Sequence, residues 1–468
     1  MANSRFPCAR TVRFGGMQEA KIVAKAKIAY ICTECGSHSV KWAGQCPECS
    51  AWNTLLQTTI PVAKGSTGKA RKAITLEQLP GDVEHRYTTG FGEFDRVLGG
   101  GLVPGAVVLL GGDPGVGKST LLQQVAANLM RDLTVCYATG EESLRQIGQR
   151  SLRLQLDASA MNLLADTSLE NVIAQTVKCA ARVLVIDSMQ TLTSDELPSA
   201  PGSVAQLRES VGKIVQFAKQ NDVSVFIIGH VTKEGAIAGP RVVEHMVDTV
   251  LYFESDAASR YTMIRSVKNR FGASGEIGVF AMTDTGFREV SNPSAIFLSR
   301  ESVNEPGSVV SGSWEGSRPL LVEIQALVAD GNGNYPKRLA QGVDQNRLAL
   351  LLAVLQRHGA VAISNEDVFV NVVGGLRIRE TAVDLPTLLA IVSSYRDRSC
   401  SERLVCFGEV GLAGEIRPVR FGTERIAAAA KQGFTRAIVP YGNVPKRSPK
   451  GLQVVAVRRL SEALEAAF

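Results

Sequence analysis

The chain has 468 residues, 45% hydrophobic and 21% charged, with a formal net charge of +6 and a pI near 8.8. That length predicts about three domains, and the composition is that of a soluble globular protein whose basic excess permits nucleic acid. The densest apolar run, Leu348 to Leu355, stops at eight residues, well short of the ~20 that a membrane-spanning helix needs.

In residues 1–27 six cations (Arg5, Arg10, Arg13, Lys21, Lys25, Lys27) face one acid, Glu19. No apolar signal core follows, so this stretch reads as a disordered basic tail, with organellar targeting kept open. Residues 28–57 hold Cys32-x2-Cys35 and Cys46-x2-Cys49. Each CxxC turn aims two thiolates at a common centre, and four sulfurs complete the tetrahedron of a closed, structural Zn2+ site. A pair of disulfides or a redox CxxC is the alternative, disfavoured because the two knuckles are doubled and the nine cysteines, an odd number, otherwise lack regular spacing and fit a reducing, cytoplasmic compartment. Residues 58–73, polar and basic, read as a linker.

Residues 74–291 read as a mostly parallel α/β core. An apolar strand runs into the loop Gly112, Asp113, Pro114, Gly115, Val116, Gly117, Lys118, Ser119, Thr120, and a helix with an apolar face follows. Glycines let backbone N–H groups close around the phosphates of ATP; Lys118 reaches the β and γ oxygens and Ser119 ligates Mg2+. A second buried strand ends in Asp187, a carboxylate placed to hold that Mg2+ through water. A third ends in Glu141 and Glu142; Glu141 is favoured as the acid that polarises the attacking water, and Glu142 as a first-turn acid of the next helix. The runs VSVFIIGH, DTVLYFE, TMIRSVK and IGVFAMT continue the sheet, the last three as an antiparallel extension because their turns are too short for crossovers. Long connections after Asp187 and after His230 read as ligand-contacting or plain surface loops.

Taken together and in order, the four-cysteine module, TGFGEFDRVLGGGLVPGAVVLLGGDPGVGKSTLL and KNRFG closely resemble the bacterial RadA (Sms) proteins, a RecA-like ATPase family of recombination and repair. The resemblance covers essentially everything after Tyr30. It implies a hexameric ring that binds single-stranded and branched DNA, works with a RecA-type recombinase and drives branch migration. In such rings the nucleotide lies between subunits, so Lys268 and Arg270 of KNRFG would approach the neighbour's γ-phosphate, with Asn269 and Gly272 shaping the turn. A contact of the same cations with DNA phosphates stays open.

Residues 292–468 form a third, α/β region that resembles the Lon protease domain. On that alignment Ala382 stands at the nucleophile and Thr423 at the base. Arg425 nearby stays protonated, and Ser393 and Ser394 fall on a helix without an activating partner. The expectation is a catalytically inactive Lon-like domain kept for assembly or DNA contact, with Lys337, Arg338, Arg347, Arg377 and Arg379 as scattered cations that could track a phosphate backbone. A non-motor, ATP-gated DNA-binding scaffold and, less favoured, an ATP-dependent peptidase are the alternatives to a DNA-dependent ATPase of recombinational repair. Nucleoid-associated, cytoplasmic residence without membrane contact is expected.

Overall fold

The structure, a computed structural model, describes residues 27–32, 38–47, 50–60, 75, 85–197, 199–230, 243–255, 261–298, 305–331 and 336–468. The basic tail up to residue 26, Cys35, Cys49, most of the linker, and residues 231–242 of the connection after His230 lie outside that set. The chain falls into two units, Met1–Gly81 and Asp82–Phe468.

In the first unit β1 (Lys27–Cys32), β2 (His38–Ser39) and β3 (Leu55–Ile60) form an antiparallel sheet in the order β2-β1-β3. Its buried core among the described residues is Cys32, Cys46 and Leu55, with Tyr30 packed against them. Three side chains bury too little surface to offset the ordering of some thirty residues, which is the condition in which small modules rely on a bound metal.

The second unit begins with α1 (Gly92–Leu98), β4 (Val107–Gly112), α2 (Lys118–Leu129), β5 (Val135–Thr139), α3 (Leu144–Arg153), β6 (Asn162–Ala165), α4 (Leu169–Lys178), β7 (Val183–Asp187), α5 (Val204–Asn221) and β8 (Ser224–His230). β9 (Thr249–Ser255), β10 (Tyr261–Asn269), β11 (Ile277–Thr283) and β12 (Gly286–Glu289) follow. They make one nine-stranded sheet, β12-β11-β10-β9-β4-β8-β7-β5-β6. The strands from β6 to β9 are parallel, and β9 to β12 pair antiparallel, as the short turns predict. The central strands are continuous apolar runs because both faces are covered. Val108, Leu110, Val183, Val185, Phe226 and Ile228 pack with α1 and α2, while Val107, Leu109, Leu184, Ile186, Val225 and Ile227 pack with α4 and α5. This layering puts the carboxyl ends of β4, β5, β7 and β8 on one edge.

The remainder holds β13 (Ser308–Glu315), β14 (Arg318–Ala329), β15 (Arg338–Gln341), α6 (Gln345–His358), β16 (Asp367–Val372), α7 (Asp384–Tyr395), β17 (Leu404–Cys406), the ribbon β18 (Glu409–Val410) and β19 (Ile416–Arg417), α8 (Gly422–Lys431), β20 (Arg436–Pro440), β21 (Gln453–Val457) and α9 (Leu460–Ala467). Seven of the strands make a second sheet, β15-β16-β14-β13-β17-β20-β21. Its core includes Met263, Ile277 and Val279 from β10 and β11 beside Leu320, Val322 and Ile324 of β14 and the apolar faces of α6 and α7. Ion pairs cross the same seam. Arg318 donates to both carboxylate oxygens of Glu93 at 2.7 and 2.8 Å, and Arg265 on β10 bonds Glu254 at 2.9 Å and Glu315 at 2.8 Å. No helix among the described residues is long and apolar enough to cross a membrane.

Candidate nucleotide-binding site

β4 ends at Gly112 and α2 begins at Lys118, so the glycine-rich segment is a loop between a buried strand and a helix N-terminus. Gly117 closes it at φ +95°, where a side chain would be strained and where a Cβ would lie 2.7 Å from Met282 Cε and 2.8 Å from the Phe287 ring. Asp113, Pro114 and Gly115 are exposed, whereas Val116, Ser119 and Thr120 are half-buried in or beside the first turn of α2. The Lys118 side chain is buried, and its Nζ donates to the carbonyls of Gly112 at 2.8 Å and Asp113 at 2.9 Å. Burial pushes the Lys118 ammonium below the ordinary lysine range, and Asp187, Asp113 and Glu141 pull it back.

Asp187 ends β7, buried, and its Oδ2 accepts a 2.8 Å hydrogen bond from the hydroxyl of Tyr137 on the neighbouring strand β5. No donor among the described residues reaches Oδ1. Just beyond β5 the two acids divide. Glu141 accepts from Ser188 Oγ and lies 3.3 Å from His230 Nε2 at the end of β8. Glu142 pairs with Arg150 of α3, and the capping of that helix falls to Ser143 and Gln146. Lys118, Asp187 and Glu141 therefore converge at one sheet edge and Glu142 turns away. Sequence reasoning did not single out Tyr137, Ser188 or His230 as part of this cluster. Only His230, as a polar residue ending a buried strand, carried a signal.

A nucleoside triphosphate with Mg2+ fits this edge: the loop offers backbone donors and an ammonium, Ser119 a hydroxyl, and Asp187 a carboxylate oxygen that no donor among the described residues reaches. For Zn2+, the first unit brings one buried thiol from each CxxC pair, Cys32 and Cys46, into its small core, a donor set suited to that ion. The other two sulfurs, of Cys35 and Cys49, belong to residues outside the described set.

The turn after β10 is anchored inside its own subunit. Lys268 Nζ donates to the carbonyls of Glu244, His245 and Val247 at 2.9–3.0 Å. Arg270, exposed, bonds the buried carboxylate of Asp248 at 3.0 Å; that carboxylate also takes Lys219 and the Val107 N–H. Asn269 bridges Thr249, the Phe271 N–H and the Val97 carbonyl. Gly272 supplies room: a Cβ there would lie 2.6 Å from the Cα of Gly99, the left-handed C-cap of α1.

In the carboxyl-terminal sheet Ala382 is buried and Thr423 exposed. Arg425 is almost wholly buried; it donates to both oxygens of Glu380 at 2.6 and 2.7 Å and to the Gly312 carbonyl at 2.6 Å. Ser393 accepts from the Gly307 N–H and donates to the Arg398 carbonyl, and Ser394 accepts from the Val328 N–H. Among the cations, Arg347 is a structural partner of the buried Asp384 and of the Val410 carbonyl, and Arg338 bonds the Ser364 carbonyl. Arg377 and Arg379 are exposed, alternate with the buried Leu376 and Ile378, and line a cleft of about 520 Å³ together with Asp113 and Val116 of the loop.

A parallel sheet whose lead strand opens into a phosphate-binding loop, with an aspartate and a glutamate gathered beside the loop lysine, defines a P-loop ATPase of the RecA-like α/β class. Three family profiles match: one described as a rubredoxin metal binding domain over residues 30–57, one as an AAA domain over 77–236, and one as subunit ChlI of Mg-chelatase over 346–443. The chain is 54% identical to the DNA repair protein RadA of Pseudomonas aeruginosa over 95% of this chain and 100% of that one. It is 51% identical to that of Escherichia coli and 43% identical to that of Bacillus subtilis, each over 94% of this chain and 99% of the relative. The chain belongs to the DNA repair protein RadA family.

Proposed function

We propose that the chain is a DNA-dependent ATPase of recombinational repair that binds single-stranded and branched DNA and drives branch migration beside a RecA-type recombinase. The reading rests above all on the convergence of Lys118, Asp187 and Glu141 beside the loop. Lys118 leaves its two loop carbonyls for the β and γ oxygens of ATP, Ser119 and Asp187 hold Mg2+, and Glu141 orients and deprotonates the attacking water. Mg2+ supplies charge neutralisation on the triphosphate. Residues 112–120 wrap the phosphates, Cys32, Cys35, Cys46 and Cys49 hold a structural Zn2+, and the division into 28–57, 74–291 and 292–468 separates metal module, motor and Lon-like region. In a hexameric ring Lys268 and Arg270 exchange their own subunit's carbonyls and Asp248 for the γ-phosphate of the neighbour. Residence is cytoplasmic. The peptidase alternative is disfavoured because Ala382 and Thr423 stand at the nucleophile and base positions of the Lon-like alignment and Ser393 is held between the Gly307 N–H and the Arg398 carbonyl.

The test is ATP turnover with and without single-stranded DNA. Lys118→Ala is expected to abolish hydrolysis, and Lys268→Ala to keep nucleotide binding while losing DNA-stimulated turnover or branch migration. Branch-migration kinetics of Lys268→Ala equal to wild type would overturn the trans assignment; stimulated hydrolysis without heteroduplex extension would favour the ATP-gated scaffold. Purified protein is expected to hold one zinc per chain, lost in Cys46→Ser.

A further inference from the structure

Tyr137 is wholly buried on β5, in the apolar layer that also holds Leu121, Val125, Ile147, Val183 and Val185. β5 and β7 run parallel with Tyr137 opposite Val185, so the ring lies along the strand direction and brings its hydroxyl to Asp187, two residues further on and on the same face of the sheet. Phenylalanine would fill that pocket equally well. Among the described residues the hydroxyl has one hydrogen-bond partner, Asp187 Oδ2 at 2.8 Å, and a buried polar group is retained in an apolar layer only when its bond is useful or at least made. Glu141 is held by a different pair of neighbours, Ser188 and His230. The two acids are thus tethered independently.

We propose that Tyr137 is a positioning residue for metal-dependent ATP hydrolysis: its O–H occupies one oxygen of Asp187 and turns the other toward the metal–nucleotide complex. The proposal rests on the ATPase reading above. The phenol stays protonated and able to donate, because burial first and the Asp187 charge second push it well above the ordinary tyrosine range. Removing the hydroxyl leaves Asp187 Oδ2 without this donor and frees the carboxylate to rotate.

The experiment uses the full-length protein, Mn2+ as an electron-paramagnetic probe, and a non-hydrolysable ATP analogue. Tyr137→Phe, with a melting curve like wild type, is expected to weaken Mn2+ binding to the protein–analogue complex by about tenfold, the worth of one hydrogen bond to a charged group. Analogue affinity in the absence of metal should stay unchanged. In turnover, raised Mg2+ should recover part of the lost rate. In an Asp187→Asn background, Tyr137→Phe should have no further effect on Mn2+. Unchanged Mn2+ affinity in Tyr137→Phe, with Asp187-dependent binding intact in wild type, overturns the proposal alone. Absence of Asp187-dependent Mn2+ binding in wild type overturns the nucleotide-site reading and the proposal with it.

Discussion

Glu141 and Glu142 are adjacent, chemically identical, and committed to different tasks by their neighbours. Glu141 faces Ser188 and His230 at the sheet edge, and Glu142 is tied to Arg150 on α3. Glu141→Gln is expected to slow ATP turnover by about 10²–10⁴-fold, the usual range for loss of a general base, with nucleotide affinity nearly intact. Glu142→Gln should leave turnover within about twofold and lower thermal stability by about 1 kcal/mol; steady-state kinetics and melting curves on the pair check both. The sequence placed Glu142 in the first turn of the next helix, but that helix is capped by Ser143 with Gln146 and has no acid in its first turn, so Glu142 lies just before it. The partners of Asp187 and Glu141 were not legible, since Tyr137 lies fifty residues before Asp187 and His230 eighty-nine after Glu141. Only strand order brings such residues together.

The turn after β10 is an element whose glycine is explained by another element. Gly272 passes over Gly99 at the end of α1 with no space for a Cβ, and Asn269 ties the same turn to Val97. Gly272→Ala is expected to cost about 1–3 kcal/mol through this overlap and to shift the turn, so ATP turnover and stability should fall together. An unchanged melting temperature would remove the steric explanation. The glycine-rich loop between strand and helix and the buried strand that ends in Asp187 could be read from spacing because each is a local device. The anchoring of Lys268 by three carbonyls could not: backbone acceptors leave no mark on a sequence, and an exposed pair of cations beside a glycine looks the same whether or not carbonyls surround it. The burial of Arg425 against Glu380 was hidden for a related reason, as a charged residue on an alanine-rich helix reads as surface.

At the scale of the whole second unit, the carboxyl-terminal sheet is joined to the ATPase sheet through a common core. The sequence suggested a break near residue 292 from a change in composition, yet Met263, Ile277 and Val279 pack with Leu320, Val322 and Ile324, and Glu93 of α1 takes the guanidinium of Arg318. Glu93 and Arg318 side chains are 9% and 16% exposed, so removing Arg318 leaves the buried Glu93 carboxylate to Arg96 at 3.6 Å and the Val279 N–H at 3.0 Å. Arg318→Met is expected to destabilise the unit by roughly 3 kcal/mol, while adding Glu93→Leu should recover most of that loss; denaturant unfolding of wild type, the two single variants and the double variant measures the coupling.

β10 has a further mechanical consequence. Its nine residues span about 30 Å, clamped at Arg265 to Glu315 of the other sheet and carrying Lys268 near its far end, with Arg270 in the turn beyond. β10 pairs with β11 as far as Arg265 and with β9 on to Asn269, with a bulge between Ser266 and Lys268, so a displacement of the Arg265 clamp reaches Lys268 through the β9 pairing. Glu315→Gln, some distance from the phosphate loop, is therefore expected to alter the DNA stimulation of ATP turnover without altering nucleotide affinity.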